Sequence, residues 1–142
     1  MAKSIKFKDN IYLDTSSISH KKGNTRQPLN AYLNSIIESG QNENGWWFKY
    51  VDGTMICTKM LAGTPDSVTP WTSGIYYKDI PVGNWAKSFT ALINVQVSSS
   101  STQYWCNIGG VNETSGGTVR LLRPDNNPVY YETRILAIGR WK

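Results

Sequence analysis

The sequence predicts a mainly β protein: an antiparallel β-sandwich or jelly-roll head preceded by a short N-terminal stalk and one α-helix. Three observations carry that expectation. Aromatic residues make up 12% of the 142-residue chain, charged residues only 18%, and there are twelve glycines, a mix of strand formers and turn formers. Beyond residue 45, apolar and polar residues alternate in about seven short runs separated by turn-rich clusters. A single segment, from Pro28 to about Ser39, instead carries apolar residues at helical spacing. Three regions follow: an arm or stalk over 1–27, a helix and linker over 28–45, and the β head over 46–142.

In the arm, Ile5 and Phe7 alternate with Lys6 and Lys8, and Ile11 and Leu13 with Tyr12 and Asp14, which suits an extended stalk or a small hairpin. The run TSSISHKKGNTRQ at 15–27 is polar and reads as a loop. Pro28 suits a first helical turn, where its missing N–H costs nothing, and Gly40 suits the helix exit. Leu29, Tyr32, Leu33, Ile36 and Ile37 form one apolar stripe. A helix this short is marginal alone, so the stripe packs either on the chain's own sheet or against copies of itself. Residues 40–45, GQNENG, have the composition of a hinge.

The first head element, GWWFKYVDGTMIC at 45–57, centres on Asp52-Gly53, a strong two-residue hairpin signal. A type I′ turn there pairs Tyr50 with Met55 and Phe48 with Cys57. It gathers Trp46, Phe48, Tyr50, Met55 and Cys57 on the core face and turns Trp47 outward. Residues 61–73 read as a long loop. Strands are expected over 74–82, 88–98, 102–111, 118–123 and 129–141. In the second of these, Phe89, Ala91, Ile93, Val95 and Val97 point one way, with Leu92 the one break in the alternation. In the third, Tyr104, Cys106 and Ile108 point inward and Trp105 outward. In the last, the odd-numbered residues from Val129 to Trp141 share the inner face.

Little catalytic chemistry is legible. His20, the one histidine, sits beside Lys21 and Lys22, which makes it a poor base and a poor ligand. No Cys/His spacing suits zinc, and there is no phosphate loop, GxSxG elbow or HExxH. No catalytic residue, metal or cofactor is therefore expected, and the chain is not expected to be an enzyme. Cys57 and Cys106 fall on core faces and read as buried free thiols. Asn112-Glu113-Thr114 matches a glycosylation sequon, but MAKSIKFKDN lacks an apolar signal core, so no export is expected. The net charge of +5 belongs mostly to residues 1–26, which hold six basic and two acidic groups. That suits a solvated arm rather than a nucleic-acid face. No stretch is apolar enough for membrane insertion.

What the sequence has in excess is tryptophan, six in all. Trp47 and Trp105, outward on strands, suit a subunit interface, where aromatics are enriched. Trp71 and Trp85, in loops, suit either local packing or a platform on which a sugar's C–H face stacks. With Asn84 and Asp66 they make up the candidate ligand set.

Two end motifs resemble a known family. Asn44 to Cys57 follows the pattern of NG, an aromatic run, DGT, a hydrophobic residue and IC, and Ala137 to Lys142 reads AIGRWK. Both are similar to the C-terminal domains of bacteriophage and prophage tail fibre proteins, whose domain often follows a stalk and helix like 5–13 and 29–37. The resemblance implies a virion component at the tail tip or fibre: a homotrimer with a distal β domain that touches the host surface, alongside other phage tail proteins. It carries over no ligand residue. Together with the residue reading it gives a trimer built on Leu29, Tyr32, Leu33, Ile36, Ile37, Trp47 and Trp105, with a host cell-envelope saccharide as partner. The alternatives are a purely structural baseplate or tail-tip part and a polysaccharide depolymerase.

Overall fold

The computed structural model describes the backbone of residues 19–22 and 25–28 and all of residues 36–142; it divides into units Met1–Ser35 and Ile36–Lys142. In the first unit, β1 (Ser19–Lys22) and β2 (Thr25–Pro28) pair antiparallel, Ser19 opposite Pro28. The expected polar loop is thus partly a hairpin. No apolar alternation flags these two strands in the sequence. Pro28 ends a strand, and the stretch 29–35 of the expected helix lies outside the described residues.

The second unit holds nine strands: β3 (Ile36–Asn42), β4 (Gly45–Tyr50), β5 (Thr54–Gly63), β6 (Thr69–Thr72), β7 (Ile75–Pro81), β8 (Ala91–Ser99), β9 (Trp105–Gly109), β10 (Thr118–Arg123) and β11 (Tyr131–Arg140). They form two antiparallel sheets, one of five strands in the order β3-β4-β5-β11-β8 and one of four in the order β6-β7-β10-β9. Both sheets feed one core. Met55 and Cys57 of β5 and Ile135 and Ala137 of β11 cluster with Val119 and Leu121 of β10.

Four expectations are corrected here. Residues 36–39 are strand, not helix, and 40–45 complete β3 and turn into β4 rather than forming a hinge. Ile36 and Ile37 are β-branched, and the edge of β4 offers their backbone a ladder of hydrogen bonds. They are exposed on this edge strand, not on a helical stripe, while Leu29, Tyr32 and Leu33 lie outside the described residues. β6 lies within the region expected to be a loop.

The third correction concerns the hairpin. β4 and β5 pair Trp47 with Cys57 and Lys49 with Met55, one residue off the expected register. The connection is a three-residue loop in which the Gly53 N–H donates to the Tyr50 carbonyl, with Gly53 at φ 91°. Asp52 Oδ1 and Oδ2 accept from the Thr54 N–H and Oγ1, which holds this form of the turn. A one-residue slip exchanges the faces of a strand. Trp47 therefore packs against the core, and Trp46 is 48% exposed on the outside.

The fourth is in β8. Asn94 pairs with Ile138 but Leu92 with Gly139, so Ile93 is an extra residue, a β-bulge. The bulge turns Leu92 toward the core and leaves Ile93 66% exposed. Gly139 makes the bulge possible: a Cβ there would lie 2.4 Å from the Ala91 carbonyl oxygen and 2.5 Å from the Phe89 ring.

The two motifs that carry the family resemblance meet in space. The carbonyls of the β4–β5 turn accept from the end of the chain: Tyr50 from Trp141 Nε1 at 2.9 Å, Val51 from Lys142 Nζ at 2.8 Å, Asp52 from Arg140 Nη2 at 2.6 Å and Gly53 from the Trp141 N–H at 3.0 Å. DGT and GRWK are two halves of one clasp.

Candidate functional site

Trp85, read as either a ligand platform or local packing, is 4% exposed. It lies in the β7–β8 connection, which docks on residues 112–117 through Trp85 N–H to the Thr114 carbonyl and Phe89 N–H to the Glu113 carbonyl. Its Nε1 donates to the Asn112 carbonyl at 2.8 Å and its ring meets Phe89 edge-on. Trp85 plugs one end of the core. Asn84 is exposed and forms an isolated bridge with Ser115, and Asp66 is exposed in the β5–β6 connection. Neither lines the cavity beside Trp71. Asn112, the sequon residue, spends its side-chain oxygen on the Thr114 and Ser115 N–H groups and the Thr114 hydroxyl.

Trp71 is different. It is 56% exposed on β6, and the outer face of the four-stranded sheet assembles around it. Alternation along β7 puts Tyr77 and Asp79 on that face, along β10 Arg120 and Leu122, and along β9 Trp105 and Asn107. Register then builds rows across strands: Asp79 beside Arg120 beside Asn107, and Tyr77 beside Leu122 beside Trp105. Trp105, expected outward, is 64% exposed in the second row.

At the centre Arg120 and Asp79 form a bidentate pair, Nε to Oδ1 and Nη2 to Oδ2, each at 2.7 Å. The guanidinium lies 4.5 Å from the Tyr77 ring centroid and 5.6 Å from that of Trp71, while Trp71 meets Tyr77 edge-on at 6.4 Å. The hydrogen bonds from Arg120, with its charge, hold the Asp79 carboxyl below the usual carboxylate range. Both side chains keep about 40% exposure, 41% for Arg120 and 39% for Asp79. Beside the pair opens a cavity of about 470 Å³ lined by Trp71, Asn107, Gly109, Thr118 and Arg120 among others.

A second recess, of about 660 Å³, lies over the outer face of the five-stranded sheet. Trp46, Thr58, Leu136 and Gln96 cross it as one row of neighbours, with Met60 and Arg134 alongside. Trp46 is here because of the register slip; its expected place was the core. Trp47, expected at a subunit interface, is half-buried against the core: its Nε1 donates to Glu38 Oε1 and Lys87 lies over its ring.

Of the expected ligand residues only Trp71 belongs to the aromatic face. Tyr77, Asp79, Asn107 and Arg120 were missed. The i, i+2 spacing of Tyr77 and Asp79 marks a shared face, but no local signal sets them beside Arg120. Among the described residues, no group of three or more His, Cys, Asp or Glu is placed to hold a metal ion, and no helix is long and apolar enough to cross a membrane.

No family model matches the chain, and no curated protein matches it in sequence. Among solved structures the chain is similar to an N-truncated R1-type pyocin tail fibre, with 14% identity, a TM-score of 0.48, and coverage of 74% of this chain and 88% of that one. It is also similar to a P. aeruginosa R1 pyocin fibre comprising C-terminal residues 323–701, with 14% identity, a TM-score of 0.46, and coverage of 74% and 29%.

Proposed function

We propose that the chain is a non-catalytic receptor-binding protein of a phage or prophage tail fibre, a virion component in which three copies each carry a β-sandwich head that binds a host-surface saccharide. The observation that carries the binding half is the aromatic face around Arg120 and Asp79. Exposed Trp71 and Trp105 offer flat apolar surfaces, and an ion pair between them offers both donors and acceptors. Sugar rings ask for that mixture: C–H faces stack on indole while hydroxyls hydrogen-bond. The clasped DGT and GRWK motifs support the tail fibre reading. The exposed Trp46 and Met60 on the outer five-stranded face suit contact between copies. Three weak sites on one axis gain avidity, which suits saccharide ligands.

Two measurements test this. Labelled protein is mixed with purified bacterial cell-envelope fractions and sedimented; co-sedimentation with some strains and not others is expected, and its absence from every fraction refutes the binding half. The solution mass of the full chain is expected at three times the 16.0 kDa of one copy. A monomer refutes the assembly half.

A further inference from the structure

We infer that the outer face of the four-stranded sheet is a site for an uncharged pyranose, stacked on Trp71, bonded to Arg120 and Asp79, and seated in the recess over Gly109. The inference rests on the saccharide-binding reading and adds the place and charge class of the ligand.

Charge argues first. Arg120 is already neutralised by two hydrogen bonds to Asp79, so the pair presents no net charge to a ligand. An anionic sugar would meet the Asp79 carboxylate at the same place as the guanidinium, and a cationic one the reverse.

Hydrogen-bonding capacity argues second. A guanidinium has five N–H donors; two point at Asp79, and the other three have no protein partner among the described residues. Each Asp79 oxygen keeps an unused lone pair. Asn107, opposite Arg120, spends its Oδ1 on the Ile108 N–H and keeps its amino group. Donors and acceptors a few ångströms apart match adjacent hydroxyls, which are each both donor and acceptor. Unlike a flexible lysine, Arg120 is already fixed between Tyr77 and Asp79, so little side-chain entropy is lost on binding.

Shape argues third. Gly109 ends β9 on the same face, opposite Thr118, and a Cβ built there meets nothing within 4 Å. Its φ is not in the left-handed region, so the glycine is not required by the backbone. Its lack of a side chain keeps the recess open.

That glycine gives a clean test. Gly109→Val fills the recess with a strand-favouring side chain and touches neither the ion pair nor the core, so the melting temperature should not fall. The wild-type chain, Gly109→Val and Trp71→Ala are tested against immobilised neutral oligosaccharides of glucose, galactose, mannose and N-acetylglucosamine, and against polygalacturonate, at low and high salt. Wild type should hold at least one neutral glycan with affinity changing less than about twofold with salt. Each variant should lose about tenfold or more. Neutral-glycan binding that both variants retain overturns the site but leaves the saccharide reading standing. Binding confined to polygalacturonate and abolished by salt overturns the uncharged class. Binding to none of the neutral glycans overturns the inference; if envelope fractions still bind, the broader reading survives.

Discussion

The register of the β4–β5 hairpin decides which of two adjacent tryptophans holds the protein together, and their substitution by alanine separates the possibilities. Trp47 packs on the core, donates to Glu38 at 3.1 Å and lies under Lys87. The neighbouring strand is shaped for it: a Cβ on Gly40 would sit 2.3 Å from the indole Cζ2. Removing a fully buried tryptophan costs about 3–5 kcal/mol. Trp47 is half-buried and its hydrogen bond is to an exposed carboxylate, so about 2 kcal/mol is expected for Trp47→Ala. The unit Ile36–Lys142 has an unfolding entropy of about 0.22 kcal/mol/K, so the melting temperature should fall by about 9 °C. Trp46, 48% exposed, should cost less than ~0.5 kcal/mol, or about 2 °C. Differential scanning fluorimetry with a urea titration reads both. If Trp46→Ala is the more damaging, the hairpin has the two-residue turn and the faces of β4 are the other way round.

The same contrast applies at the bulge: Leu92→Ala should cost roughly 1–2 kcal/mol and Ile93→Ala under ~0.5, and equal effects would mean β8 has no bulge. In the clasp, Trp141→Phe keeps a smaller aromatic ring but loses the hydrogen bond to the Tyr50 carbonyl, with about 1 kcal/mol or more expected; an unchanged urea midpoint would show the tail does not secure the turn. Arg120 depresses the Asp79 carboxyl, so its contribution to stability is present above the unfolded value near 3.9 and is lost as pH falls through the lower folded one. Below about pH 4 the melting temperature of Asp79→Asn should therefore fall less steeply than that of wild type, by a small, salt-screened margin; parallel curves would refute the coupling. Burial pushes both thiols up, so native protein at neutral pH should react slowly with iodoacetamide, with half-buried Cys106 ahead of buried Cys57; fast labelling of Cys57 by mass spectrometry would contradict its place in the core.

The chain by itself determined the elements whose information is local. Period-two alternation in 131–141 marked Thr133, Ile135 and Ala137 as inward, and they are buried; in 104–108 it separated Tyr104 from Trp105 correctly. In β8 the alternation failed, since Ile93, read as inward, is the bulged residue and Leu92 faces the core in its place. What local pattern cannot supply is a count across strands. Whether Asp52-Gly53 turns in two residues or three is a small difference in turn energy, settled by the Asp52–Thr54 hydrogen bonds and by the tail that grips the turn. That one residue exchanged Trp46 and Trp47. Helical spacing at 36–37 yielded to the free edge of β4, because a ladder of backbone hydrogen bonds outweighs the few tenths of a kcal/mol that separate propensities. The aromatic face depended most on tertiary structure. Tyr77, Asp79, Arg120 and Trp105 lie on three strands, and only sheet order and register set them side by side.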